Sequence, residues 1–108
     1  MNQRYQQAID VLDAGQGHTM TVTGYSMVPL IYSKSKLTFR ATNDYQVGDV
    51  VFCKVNGRLI DAHKITKVDA SGRFMIGNNK GYENGWASQI FGRVIAVNGE
   101  AFGRPVSK

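Results

Sequence analysis

The chain has 108 residues, 43% hydrophobic and 19% charged, with a formal net charge of +5, a composition that suits one folded domain with a modest core and excludes a disordered chain or a pair of domains. No apolar run approaches the roughly eighteen residues needed to span a bilayer, and the first residues lack the charged-then-apolar pattern of a signal peptide, so a soluble, cytoplasmic protein is expected. The single cysteine, Cys53, has no intrachain partner, and neither it nor His18 or His63 falls into a metal-ligand spacing, so no disulfide, metal or other cofactor is implied.

From Asn2 to Ala14 the apolar residues Tyr5, Ala8, Ile9 and Leu12 recur at three- and four-residue steps, with Asn2 placed to cap and Gly15 placed to stop the helix. The stripe is narrow and lacks large exposed aromatics. It reads as a packing face toward the domain body or a second subunit, which makes a homodimer one expected partner, rather than as a membrane anchor. Beyond Gly17 the pattern changes to short alternating or apolar runs between turn residues, the signature of an antiparallel β domain. Strands are predicted at Thr19 to Thr23, Lys36 to Arg40, Asp49 to Val55, Arg58 to Val68, Arg73 to Gly77 and Gln89 to Val97. Asn56-Gly57 suits a tight type I′ hairpin, because both residues tolerate positive φ. Asp69 to Gly72 is a looser turn, and Asn78 to Asn84 reads as an exposed loop. The chain is therefore one mainly β domain, 1–108, with a helix over 1–15 and a β core over 19–98. The basic residues are scattered and accompany no helix-turn-helix or aromatic-rich RNA-binding pattern, so no sequence-specific nucleic-acid partner is expected.

Gly24-Tyr25-Ser26-Met27-Val28-Pro29-Leu30 resembles the Gly-x-Ser-Met-x-Pro-x box shared by SOS repressors, phage repressors and signal peptidases. Later segments follow in the same order. Val47-Gly48-Asp49-Val50-Val51 is similar to the family's GDVV strand, and His63-Lys64-Ile65 to the His-Arg-Ile element of the endoplasmic-reticulum and archaeal signal peptidases. Ile76-Gly77-Asn78-Asn79 is similar to a Gly-Asp-Asn loop, and Ile90 to Ile95 to the closing Ile-x-Gly-x-Val strand. The resemblance covers about residues 22–97 and implies a LexA-like, partly coiled antiparallel β fold. In that fold the serine lies on a turn at a sheet edge and the base on a neighbouring strand. A small stand-alone domain of this type fits a phage or mobile element, acting in the host cytoplasm.

A serine hydroxyl is a weak nucleophile until a base removes its proton, and here His63 and Lys64 are the candidates. Successive side chains on a strand point to opposite faces, so only one of the two can face Ser26; the resemblance favours His63. It also implies that the Ser26 N–H is an oxyanion donor and that Tyr25, Met27 and Pro29 shape the cleft, although Met27 reads equally well as plain core. Gly24 stands where some relatives carry a second donor, a serine. The family's loop aspartate is replaced by Asn78, which leaves Asn78 or the downstream Glu83 as the expected group orienting His63.

Two functions follow. The first is a serine endopeptidase acting on an extended protein or peptide through a Ser26–His63 dyad, with self-cleavage at Ala14-Gly15 as a variant because SOS repressors cut after a small residue before glycine. The second is a non-catalytic interaction or assembly module that keeps the fold, motivated by the missing aspartate.

Overall fold

The computed structural model describes residues 3–24 and 26–106. Helix α1, Gln3–Asp13, buries Ala8 and Leu12 on one face. Its end is closed by a Schellman arrangement: Gly15 at φ 81° donates to the Leu12 carbonyl, and Gln16 N donates to the Val11 carbonyl. The expected cap, Asn2, lies outside the described residues.

Seven strands follow: β1 His18–Thr21, β2 Lys36–Arg40, β3 Val50–Val55, β4 Arg58–Val68, β5 Phe74–Gly77, β6 Glu83–Val97 and β7 Glu100–Ala101. All pairings are antiparallel. The order across the sheet is β1-β2-β6-β3-β4-β5, and β5 also pairs with β6, so β3 to β6 form a closed ring of strands. The mainly β architecture with one short N-terminal helix is the one expected. The β3–β4 turn holds Asn56 at φ 50° and Gly57 at φ 78°, with Val55 opposite Arg58, as the Asn-Gly pair implied.

β3 is the seam of the molecule, and its apolar run is buried on both faces. Val50 and Phe52 point into one core with α1, β1 and β2; Val51, Cys53 and Val55 point into a second with Ile65 and Ile76. Phe52 is fully buried, with ring centroids 5.4 Å from Tyr5, 6.2 Å from Phe39 and 4.9 Å from Phe91, and so ties helix to sheet. Removing such a ring from water contributes about 1.5–3 kcal/mol. Burial also pushes the Cys53 thiol up to about 12. The chain after β7 is strapped down by buried Arg93, which donates to the Arg104 and Pro105 carbonyls, while Arg104 pairs with Asp49 at 2.8 Å.

The strand boundaries differ from expectation at informative places. β1 stops at Thr21, because Val22 leaves the ladder to exchange hydrogen bonds with Ser35 and Lys34. Asp49 precedes β3 and instead caps a turn through Gln46 N. β6 starts at Glu83, six residues before the expected Gln89, so Glu83 and Asn84 are strand rather than loop. Its early half pairs with β5, with Met75 opposite Trp86 and Gly77 opposite Glu83. Among the described residues no helix is long and apolar enough to cross a membrane.

Candidate active site

Ser26 lies in the segment joining β1 to β2. That segment is pinned at both ends: Val22 N donates to the Ser35 carbonyl, and Gly24 N donates to the Ser33 hydroxyl at 3.1 Å. Behind the serine the backbone turns tightly, with Leu30 N and Ile31 N both donating to the Met27 carbonyl. Met27 and Ile31 are 3% exposed and anchor the turn in the main core. Gly24 takes φ 106°, a backbone region that side-chain-bearing residues rarely enter.

Across from the serine stands β4. His63 faces it, with Nε2 3.0 Å from Ser26 Oγ. Lys64, on the opposite face as strand alternation requires, sends Nζ to Asn79 Oδ1 at 3.1 Å. The second nitrogen of the ring, Nδ1, lies 2.8 Å from Asn84 Oδ1. An amide oxygen can only accept, so Nδ1 carries the proton and Nε2 presents its lone pair to the serine hydroxyl. The chain Asn84–His63–Ser26 thus has the polarity that deprotonation of Ser26 demands.

The expected orienting groups are elsewhere. Asn78 Oδ1 accepts from Lys80 N and Tyr82 N and so closes its own loop. Glu83 accepts from the Thr66 hydroxyl and lies 3.8 Å from Lys67 Nζ. At the ring stands Asn84 instead, which no local pattern singles out because its strand is expected to begin only at Gln89. Asn79, too, contacts the serine turn without being singled out by any local pattern. Its backbone N–H donates to the Ser26 carbonyl at 3.0 Å and its side-chain nitrogen to the Val28 carbonyl at 3.2 Å, stapling the serine turn to the loop after β5. The only signal was its position in the Gly-Asn-Asn segment. Gly77, which opens that segment, has no room for a side chain: a Cβ would sit 2.6 Å from the Tyr82 carbonyl oxygen.

Two pockets flank the His63 ring. One, of about 130 Å³, is bounded by Val22, Ser26, Met27, Ile31, Asp61 and His63. The other, of about 430 Å³, is bounded by Arg58, Asp61, His63, Tyr82 and Asn84. Met27 therefore serves both readings offered for it, core and cleft wall. Pro29, exposed and following a cis peptide bond, is not among the residues lining these pockets. Tyr25 lies outside the described residues. A further pocket of about 350 Å³ beside Lys64, Asn78 and Glu83 contains neither Ser26 nor His63, so it is separate from the hydrogen-bonded chain. Among the described residues the Ser26 N–H has no hydrogen-bond partner.

No curated protein matches the chain. The model of the Peptidase S24-like family matches residues 2–96, which include every residue of this hydrogen-bonded chain. By that match, the chain belongs to the Peptidase S24-like family.

Proposed function

We propose that the protein is a serine endopeptidase in which Ser26 is the nucleophile and His63 its general base. The observation that carries this reading is the Ser26 Oγ to His63 Nε2 contact of 3.0 Å combined with an acceptor on the ring's other nitrogen. In acylation, Oγ bonds to the carbonyl carbon of the scissile peptide while its proton passes to Nε2, and the Ser26 N–H donates to the developing oxyanion. The C–N bond then breaks as Nε2–H gives that proton to the leaving amine. Water, deprotonated by the same nitrogen, hydrolyses the acyl-serine and restores the free hydroxyl. Asn84 holds the ring in the productive tautomer without supplying the charge that a carboxylate would bring to the imidazolium.

The substrate is a polypeptide supplied in trans. Self-cleavage at Ala14-Gly15 is disfavoured because that peptide closes the helix through the Gly15 and Gln16 hydrogen bonds and would first have to unwind.

The amide in place of a carboxylate favours a second reading, a binding module that keeps the fold but not the chemistry. A serine-directed fluorophosphonate separates the two. The enzyme reading expects labelling of the wild-type chain, none of Ser26→Ala, and a loss of about 10²-fold or more in His63→Ala. Equal labelling of all three proteins, or none of the wild type, rejects it in favour of the binding module.

A further inference from the structure

Lys64 is a cation that the Ser26–His63 chain does not use. It follows His63 on β4 and points to the other face of the strand. Among the described residues its ammonium forms no ion pair with a carboxylate; its hydrogen bond goes to a neutral amide oxygen, Asn79 Oδ1, at 3.1 Å. Both residues are half-buried, so this charge-assisted bond is screened less than one at an open surface.

Asn79 is in turn the link to the nucleophile. Its N–H donates to the Ser26 carbonyl and its Nδ2 to the Val28 carbonyl, so the two bonds bracket Met27, whose own carbonyl is taken by Leu30 N and Ile31 N. The side-chain amide has one orientation that satisfies both of its neighbours. An ammonium only donates and a carbonyl only accepts, so Oδ1 must face Lys64 and Nδ2 must face Val28. Turned over, the NH2 group would meet the ammonium and two carbonyl oxygens would face each other. Lys64 therefore decides which way the amide points. Its charge also polarises the amide, which makes Nδ2–H a better donor to Val28.

We infer that Lys64 is a positioning residue: acting through the Asn79 side chain, it fixes the turn that aims Ser26 Oγ at His63, without exchanging a proton. Strand β4 thus serves the serine from both faces, with the base on one and this fastening on the other. The inference rests on the Ser26–His63 reading above. Its test measures the maximal rate and the half-saturating probe concentration for fluorophosphonate labelling of Ser26. Lys64→Met keeps most of the side-chain length but donates nothing; it should lower the maximal rate about three- to tenfold, the scale of one charge-assisted hydrogen bond, with the half-saturating concentration unchanged. Lys64→Arg should restore the rate to within about twofold, because a guanidinium donates to Oδ1 yet cannot be deprotonated and so cannot serve as a base. Asn79→Ala combined with Lys64→Met should label no more slowly than Asn79→Ala alone, since both remove the same contact. Wild-type labelling in Lys64→Met, no rescue by Lys64→Arg, or losses that multiply in the double variant overturn the assignment. Should Lys64→Met not fold, Asn79→Asp decides: it keeps an acceptor for Lys64 but sets a carboxylate against the Val28 carbonyl, so it should label more slowly, and wild-type labelling overturns the assignment. If the wild-type chain labels but is indifferent to these changes, only the role of Lys64 falls. If the wild-type chain does not label, the peptidase reading falls. The fastening is then still tested by the Asn79 side-chain amide hydrogens, expected to exchange slowly in the wild type and Lys64→Arg and fast in Lys64→Met; equal exchange in all three overturns it.

Discussion

Replacing Asn84 by alanine removes the acceptor from His63 Nδ1 without touching either reacting atom. The lost contact is a 2.8 Å hydrogen bond to a half-buried ring. Such a bond is worth about 0.5–1.5 kcal/mol net, which is about a 2- to 13-fold bias toward the tautomer whose Nε2 lone pair faces Ser26. Asn84→Ala should therefore slow fluorophosphonate labelling of Ser26 by about that factor, far less than His63→Ala, with the fold intact by circular dichroism. Asn84→Asp exchanges the amide for a charged acceptor, roughly twice as strong, and should label at least as fast as the wild type. The tautomer itself is readable from the nitrogen shifts of the His63 ring: protonated Nδ1 in the wild type, a mixture in Asn84→Ala. Persistence of the Nδ1–H tautomer together with wild-type labelling in Asn84→Ala would refute the orienting role.

Three further outcomes test the scaffold. Gly77→Ala places a methyl 2.6 Å from the Tyr82 carbonyl oxygen and 2.9 Å from the Thr66 methyl, so it should destabilise by about 1–3 kcal/mol and slow Ser26 labelling by displacing the loop that staples the serine turn; a urea midpoint equal to wild type would contradict the close approach. Phe52→Ala empties the aromatic junction between α1, β2 and β6 and should cost about 3–5 kcal/mol in denaturant unfolding, while a loss under about 1 kcal/mol would show that the core beneath α1 does not depend on this ring. Asp69 should titrate at about 2 instead of its usual 3.8, first because Arg73 N donates to it and then through Ser71 and the Arg73 side chain. A depressed folded value means that its contribution to stability is present above pH 3.8 and is lost as pH falls through about 2; a carboxyl-carbon midpoint near 3.8 would show the turn to be unformed.

The serine box, the histidine on its strand and the Asn-Gly hairpin were legible in the sequence because each is a local pattern. The alternation of β4 was enough to predict that His63 and Lys64 diverge, and the structure places them on opposite faces. Asn84 was hidden for a physical reason. Asn84 and Gly85 have poor strand propensity, yet they are drawn into β6 by pairing with β5, a contact between segments that no local pattern encodes. Asn79 was hidden because its partners, the Ser26 and Val28 carbonyls, lie some fifty positions upstream.

The amino-acid sequence alone determined the class of fold, one short helix and a series of antiparallel strands, and offered a candidate nucleophile and, through the resemblance, a candidate base. These follow from periodicity, turn chemistry and ordered motifs read over a few residues at a time. Only the tertiary structure decided which side chain sits behind His63, what fastens the serine turn, and that Asp61 shares a pocket with Ser26. Those facts depend on ring closure between β5 and β6 and on the packing of α1 against the sheet through Tyr5 and Phe52. Contacts of that kind are selected by the burial of the whole chain, so the residues that make them carry no signature until the chain is folded.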